Sequence, residues 1–546
     1  MSQPRRLLDA SGRPLPQGVG MVVRAMASGV GTIGDSLVPA AYDAGSQTDP
    51  MMADVATMRS PDRAWLPHRN TSVARVRALH RNDPVAKSAV KRKRTAAVGK
   101  GWRLSSRPDY RALGISIEQA RELGAAIETE FRPFAYGHDF QIDAERQKNL
   151  GQLLGLIVSH DMIDGEALGL VEYADDEPTR YRTRLRIVHP DRLSNPTGKP
   201  NSPQLAGGVE RNAAGVPVRY WIRERHPSEL GVATARPNWT GYDRFTPWGR
   251  PQVLHTFDCE EAGQTRGVSR FAASLKSFRA LSRFTDATLQ AATINALMVA
   301  FIKSSAGPDA VSESLSMEDI RGYESSREGF YDKHPVSLDG GARMPVLPFG
   351  DEIQMQTGAK DVSQFDAFIR AVIRLIAASL GVTYEELTMD YSQTNYSSAR
   401  AAMIPAWNET QELVARLEAQ IVKPLFVAWL EEAFDSGYVE MPAGAPDFYD
   451  AVDAYAQSRW IGPGRGFIDP TKEIDAAAAR IEAKVSTLED ECAEQGKDWE
   501  EVLEQQAREK ARRAELELDT QSGALARAAE TSRDPAHNAA LAERAA

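Results

Sequence analysis

The sequence predicts an α+β protein in which a mixed body is followed by long helices, and three observations carry that reading. Residues 181–188 alternate: Tyr181, Thr183, Leu185 and Ile187 share one face and Arg182, Arg184 and Arg186 the other, the mark of a half-solvated strand. From Gly267 onward Phe271, Leu275, Phe278, Leu281 and Phe284 recur at spacings of three and four, the period of a helix buried along one side. A second stripe of that kind, Phe365, Phe368, Ile369, Val372, Ile373, Ile376 and Leu380, lies between Asp361 and Gly381.

Taken in order, Met1 to about Asp62 is rich in Gly, Pro, Ser and Ala without apolar period, and reads as a partly ordered arm with no core. Residues 63–266 mix short helical patterns with strands at 167–173, 181–188, 218–223 and 252–257, separated by Pro, Gly and Asn, which suggests antiparallel sheet. The long helix is expected from Gly267 with Ser269 as its cap, and runs to about Ser304. Lys303 to Lys360 reads as a small loop-rich insertion. The second helix opens at Asp361, three residues before Gln364 as in a capping box, and closes at Gly381.

A polar, tyrosine-rich loop is expected over residues 383–396, then a third helix from Ser397 or Ser398 to about Phe434, kinked at Pro405 and Pro424 and ended by Gly437. Asp469-Pro470 starts a further helix that carries the alanine run 476–479 towards Gly496. Beyond Trp499, Glu, Gln, Arg and Ala dominate, a solvated helix expected to decay into disorder after about Thr520.

Composition narrows the function classes. With 546 residues, 42% hydrophobic and 26% charged, the chain can bury several cores, which excludes disorder throughout. Cys259 and Cys492 are too few for a disulfide framework or a cysteine-rich zinc site and fit a reducing compartment. The longest strongly apolar stretch, residues 296–302, is far below the roughly 20 residues of a membrane span, and Met1–Val30 carries no compact signal core. A net charge of −10 is opposite to that of a protein gripping DNA phosphate over its whole surface, so any DNA contact is local.

Few motifs point to catalysis. His160, Asp161, Asp164 and Glu166 crowd together and offer ligands for a divalent metal, but no second cluster completes a coordination shell, so a polar turn is the expected reading. His189-Pro190-Asp191 reads as a turn after a strand. Gly462, Gly464 and Gly466 match neither the dinucleotide nor the phosphate-loop pattern, and no Gly-x-Ser-x-Gly elbow occurs. Lys91, Arg92, Lys93 and Arg94 form the densest basic run, either a phosphate contact or a solvated helix face. The loop containing Tyr384, Tyr391 and Tyr396 is long for a link between adjacent helices, which favours a functional role.

Collinear landmarks then carry a family resemblance: His80–Ala89 running to Val98-Gly-Lys-Gly-Trp-Arg103, Asp164-Gly-Glu166, His189–Arg192, His255 with Gly263–Ser269, and Tyr391–Arg400. Over roughly residues 75–496 the sequence resembles the portal proteins of tailed bacteriophages, in particular the lambda family. The resemblance implies a non-enzymatic ring of about twelve copies at one capsid vertex, the channel for DNA packaging and ejection. On this sequence it implies an arm (1–62), a wing (63–266), a stem helix (267–304), a clip (305–360), a second stem helix (361–380), a tunnel loop (381–397), a kinked wing helix (398–436), a crown (437–520) and a tail (521–546).

Tyr391, Ser392, Gln393, Thr394, Asn395, Tyr396 and Ser397 would then face the channel. The implied partners are other copies of the chain, the terminase large subunit, head-tail connector proteins, major capsid and scaffold proteins, and double-stranded DNA read without sequence specificity. Location in the virion after assembly in the bacterial cytoplasm follows, with no cofactor. A capsid-associated scaffold or adaptor shares the acidity and helices, and a metal-dependent DNA-processing enzyme would rest on His160–Glu166.

Overall fold

A computed structural model describes residues 57–175, 179–229, 237–298, 336–337, 343–344, 362–392, 396–466, 470–516 and 518. Helix α1 (Pro61–Asn82) stops at Asp83, which precedes Pro84 and is extended as that position demands; its carboxylate accepts from the Ala86 N–H and so caps α2 (Pro84–Ala97). Strand β1 (Arg103–Ser106) and the short α3 (Tyr110–Leu113) lead to α4 (Ile117–Tyr136) and α5 (Leu150–Asp164). Capping boxes at Ser116 and Asn149 open the last two.

Gly165, left-handed at φ +83°, turns α5 directly into β2 (Glu166–Tyr173). Strands β3 (Thr183–Val188), β4 (Leu205–Ala206), β5 (Val209–Arg211), β6 (Pro217–Arg223), β7 (Trp239–Asp243) and β8 (Val253–Phe257) follow. They form two antiparallel sheets, ordered β3-β2-β8 and β4-β5-β6-β7, with Leu168 facing both Val188 and His255 across the first.

The long helix is α6 (Leu275–Met298). Two short strands, β9 (Val336–Ser337) and β10 (Arg343–Met344), pair beyond it, followed by α7 (Val362–Ser379) and α8 (Tyr384–Thr388). Helix α9 (Tyr396–Leu417) continues through a π turn, Glu418–Val422, into α10 (Lys423–Asp435). The π turn lies just before Pro424, which has no N–H to give and whose ring would crowd the preceding turn, so the wider turn relieves both. Helix α11 (Val452–Tyr455) and strand β11 (Ser458–Ile461) close back on the body, β11 pairing with β1. Helices α12 (Pro470–Glu482), α13 (Leu488–Glu494) and α14 (Trp499–Glu515) end the described chain.

One core gathers α4, α5, the α9–α10 rod and residues 439–461 around Trp429, with the Phe131 ring 4.9 Å from Trp429, 5.6 Å from Phe426 and 5.5 Å from Trp460. A second joins α1 and α2 to the bases of α6 and α7 through Val76, Val90, Phe271, Phe278, Leu281, Ile373, Ile376 and Leu380. Helices α13 and α14 bury no apolar side chain and dock through ion pairs: Arg103 and Arg132 to Glu501, Arg121 to Glu500, and Arg107 and Arg459 to Glu489.

Several expectations are corrected. Asp62 lies in α1 and binds Thr265 and Arg211, so order begins before residue 63. The long helix starts at Leu275 and Ser269 does not cap it: the Ser269 hydroxyl donates to Met162 O and accepts from the Phe271 N–H in the turn that precedes the helix, while Gly267 packs on Gly165. The expected loop over 383–396 holds a helix, α8, opened by a Thr383–Glu386 capping box, and Tyr396 already belongs to α9. Arg184 is buried rather than solvated. The helix expected to reach Gly496 ends at Glu482, after which Lys484 is left-handed. Residues 1–56, Asp361, Asp469, nearly all of the insertion and the tail lie outside the described residues.

Gly267 is where backbone approach is closest: a Cβ there would lie 1.9 Å from Gly165 O and 2.8 Å from Phe257 Cβ. Gly267→Ala is therefore expected to cost at least about 3 kcal/mol in denaturant unfolding, because the obstacle is backbone and cannot rotate away.

Candidate functional site

The site is built outward from Glu166, the first residue of β2, which is fully buried. Its carboxylate accepts from Arg69 of α1 (2.7 Å), the Arg266 guanidinium (2.7 and 2.9 Å), His255 Nε2 of β8 (3.0 Å) and the Gly267 N–H (3.2 Å). Arg266, also buried, directs its remaining donors to Leu193 O, Gly207 O and Pro190 O at 2.6–2.9 Å, so one fork fastens both sheets to the approach of α6. Trp65 Nε1 donates to Gly267 O at 2.8 Å from α1.

Burial alone would raise the Glu166 pKa, but the Arg266 and Arg69 charges outweigh it and hold the carboxyl well below its ordinary range. Burial pushes the His255 pKa down despite Glu166, so a neutral ring donates its Nε2 proton to the carboxylate.

The rest of the predicted acidic cluster does not converge. Asp164 accepts from Arg77 Nε at 2.8 Å and pairs with His160 Nδ1 at 2.6 Å. Asp161 lies 2.8 Å from Arg416 of α9 and 3.6 Å from Arg270. Each carboxylate faces its own guanidinium at the α5–β2 junction, so the polar-turn reading is corrected to a set of buried ion pairs. Arg270 continues the set to Glu409 of α9 at 3.2 Å, which also lies 3.6 Å from Lys93 Nζ.

That contact corrects the basic run as well. Lys93 is buried and donates to Gly381 O at 3.2 Å, and burial lowers its pKa. Lys91 and Arg94 are exposed and Arg92 is half-buried. Arg92 lines a groove with Gly381, Met389, Tyr391, Trp407 and Arg465, so the basic helix and the start of the tyrosine loop, read separately in sequence, meet. Tyr391 and Ser392 are exposed; Gln393, Thr394 and Asn395 and the side chains of Tyr396 and Ser397 lie outside the described residues. Ser88 Oγ donates to Leu387 O at 2.8 Å, tying α2 to α8 beneath the loop.

Helices α6 and α7 form the other element. Phe284 stacks on Phe365 (5.5 Å) and lies 4.6 Å from Phe368, continuing upward the contact made lower down by the buried Phe278, Leu281, Ile373 and Ile376. Leu289 and Leu375 remain 61% and 69% exposed, apolar surface the pair does not cover itself. Among the described residues no helix is long and apolar enough to cross a membrane. Arg266, Arg270, Glu409 and Arg416 were not singled out by sequence reasoning; isolated charges in amphipathic patterns give no local sign of burial.

Comparison with known proteins follows the same line. The sequence profile described as phage portal protein, lambda family, matches residues 48–413. The chain is 32% identical over 456 residues to the portal protein of Escherichia phage N15, with 82% of this chain and 85% of the relative covered. It is also 32% identical to portal protein B of Escherichia phage lambda, with 82% and 84% covered. Among solved structures, a chain in the virion of a native gene transfer agent particle aligns at TM-score 0.39 and 17% identity, covering 76% of this chain and 89% of that one. A chain in the neck of the native particle, computed with C12 symmetry, aligns at 0.37 and 16%, covering 79% and 99%.

The ion-pair centre has a pH signature. Glu166 has a folded pKa below its unfolded value near 4.5, so its contribution is complete above that value and is lost as pH falls towards the folded one. Glu166→Gln leaves Arg69 and Arg266 without their charge partner and should cost about 3 kcal/mol or more at pH 7. Denaturant unfolding of both proteins from pH 7 downward should show that difference narrowing below pH 4.5; a difference unchanged by pH would contradict the assignment.

Proposed function

As the chain belongs to the lambda family of phage portal proteins, we propose that about twelve copies close into a ring at one capsid vertex, with α6 and α7 lining the channel. The observation that carries this reading is the α6–α7 pair, packed to each other at the base, flanking an insertion, and bearing Leu289 and Leu375 on uncovered faces. Side-by-side packing of such pairs from neighbouring copies would bury those side chains and leave polar faces inward.

In this reading residues 63–266 form the wing, to which the helix over 398–436 returns, Leu275–Met298 and Val362–Ser379 lie in the stem, and the residues between them form the clip that meets terminase and connector proteins. Residues 381–397 form the tunnel loop, and residues 437–520, which include α12–α14, the crown. The chain then works as a channel and docking platform in the virion, not as a catalyst, with capsid and scaffold proteins as assembly partners. DNA must slide, so phosphates cannot be held tightly. A net charge of −10 per chain, roughly −120 per ring, opposes trapping, while the uncharged run Ser392–Ser398 touches the backbone without holding it. Of the basic run, the exposed Lys91 and Arg94 are the residues left for phosphate contact.

Electron micrographs of the purified protein should show rings with a central hole, and light scattering a mass near about twelve chains. A chain that stays monomeric at high concentration with its scaffold present would contradict the reading. Replacing Gln393 and Asn395 together with Lys should slow packaging or ejection several-fold in a phage assay; unchanged rates would remove this loop from the DNA path.

A further inference from the structure

Beside the Glu166 centre, and not used by it, three ligand-type side chains meet at the end of β6. His189, Asp191 and His226 each offer one donor atom, and the three atoms lie within 4.8 Å of one another. His226 Nε2 is 3.2 Å from Asp191 Oδ2, and His189 Nδ1 is 3.8 Å from the same oxygen. The His189 and His226 rings sit 4.7 Å apart at 88°. A tetrahedral zinc ion with bonds of about 2.0–2.1 Å spaces its ligands roughly 3.3 Å apart, so the His226–Asp191 separation already fits and the two rings would close on the ion from within 4.8 Å.

We propose that His189, Asp191 and His226 form a binding site for a divalent transition metal of the zinc class. Two imidazoles with one carboxylate suit zinc and its neighbours; calcium and magnesium prefer oxygen throughout.

The surroundings hold these groups as a metal site requires. His226 Nδ1 accepts from the Ser228 N–H at 3.2 Å and lies 2.6 Å from its hydroxyl, which orients the ring with Nε2 and its proton towards Asp191; an ion would displace that proton. Asp191 is gripped by both terminal nitrogens of Arg77, which fixes its plane. That guanidinium is shared with Asp164 at 2.8 Å, and Arg69, shared with Glu166, lies 3.7 Å from the other Asp191 oxygen, so each cation beside Asp191 is offset by a second carboxylate. His189 Nδ1 accepts from the Asp191 N–H at 3.3 Å, so its lone pair already faces Asp191 and a bound ion would take the place of that contact. All three side chains remain partly exposed, so the ion has a route in and water can complete its shell.

The site would tie the turn Pro190–Arg192, already held by Arg266 through Pro190 O, to the segment that follows β6.

The test uses the full-length protein freed of metal, titrated with zinc chloride against a chromogenic chelator. One zinc per chain is expected, with affinity falling at least about tenfold in His226→Ala, whose half-exposed ring leaves the cores intact, and unchanged in His138→Ala, which is exposed. Excess magnesium should not displace the ion. Equal affinity in His226→Ala and the parent, no zinc binding by the parent, or displacement by magnesium would overturn the proposal.

Discussion

A carboxylate buried away from solvent must be answered by cations and donors on every side, and Glu166 sets that demand where four segments of the chain cross. Isolated, such a charge would be neutralised or expelled. Here α1 supplies Arg69, β8 supplies His255, and the chain leaving β8 supplies Arg266 and the Gly267 N–H. Satisfying Glu166 therefore fixes the helix layer, the β3-β2-β8 sheet and the approach to α6 in one geometry. The two glycines beside it belong to the same constraint: Gly165 and Gly267 touch backbone to backbone, and neither position has room for a Cβ.

From that joint the α6–α7 pair projects as an element whose lower half is secured by the body and whose upper half is secured chiefly by itself through Phe284, Phe365 and Phe368. Neighbouring ion pairs carry the fixation onward: Asp161 reaches Arg416, and Arg270 reaches Glu409, so α9 is held at the same level. Buried charge pairs therefore hold α5, α9 and the approach to α6 at one level.

Much of this was legible in sequence where the signal is local. Strands at 166–173, 183–188 and 253–257 and helices at 275–298 and 362–379 follow from apolar period, which reports burial wherever one face is covered. The family landmarks were readable for a related reason, since Asp164-Gly-Glu166 and the approach to Gly267 are the residues the joint requires. What escaped depends on distant partners. Lys93 looks like part of a solvated basic face until Gly381 and Glu409 are placed beside it, and Arg184 looks solvated until the body packs over it. The start of α6 is misplaced in sequence because Ser269 has the chemistry of a cap and spends it on the Phe271 N–H, in a turn that precedes the helix. The Thr383–Glu386 box was a local signal, hidden among polar residues that read as loop.

The most direct test of the account is hydrogen exchange on Glu166→Gln beside the parent protein. The account predicts that amides at 265–281 and along β2 and β8 lose protection together, while those around Trp429 in α10 keep theirs, because only the first set hangs on the joint. Protection unchanged at 265–281, or lost evenly across both cores, would contradict it.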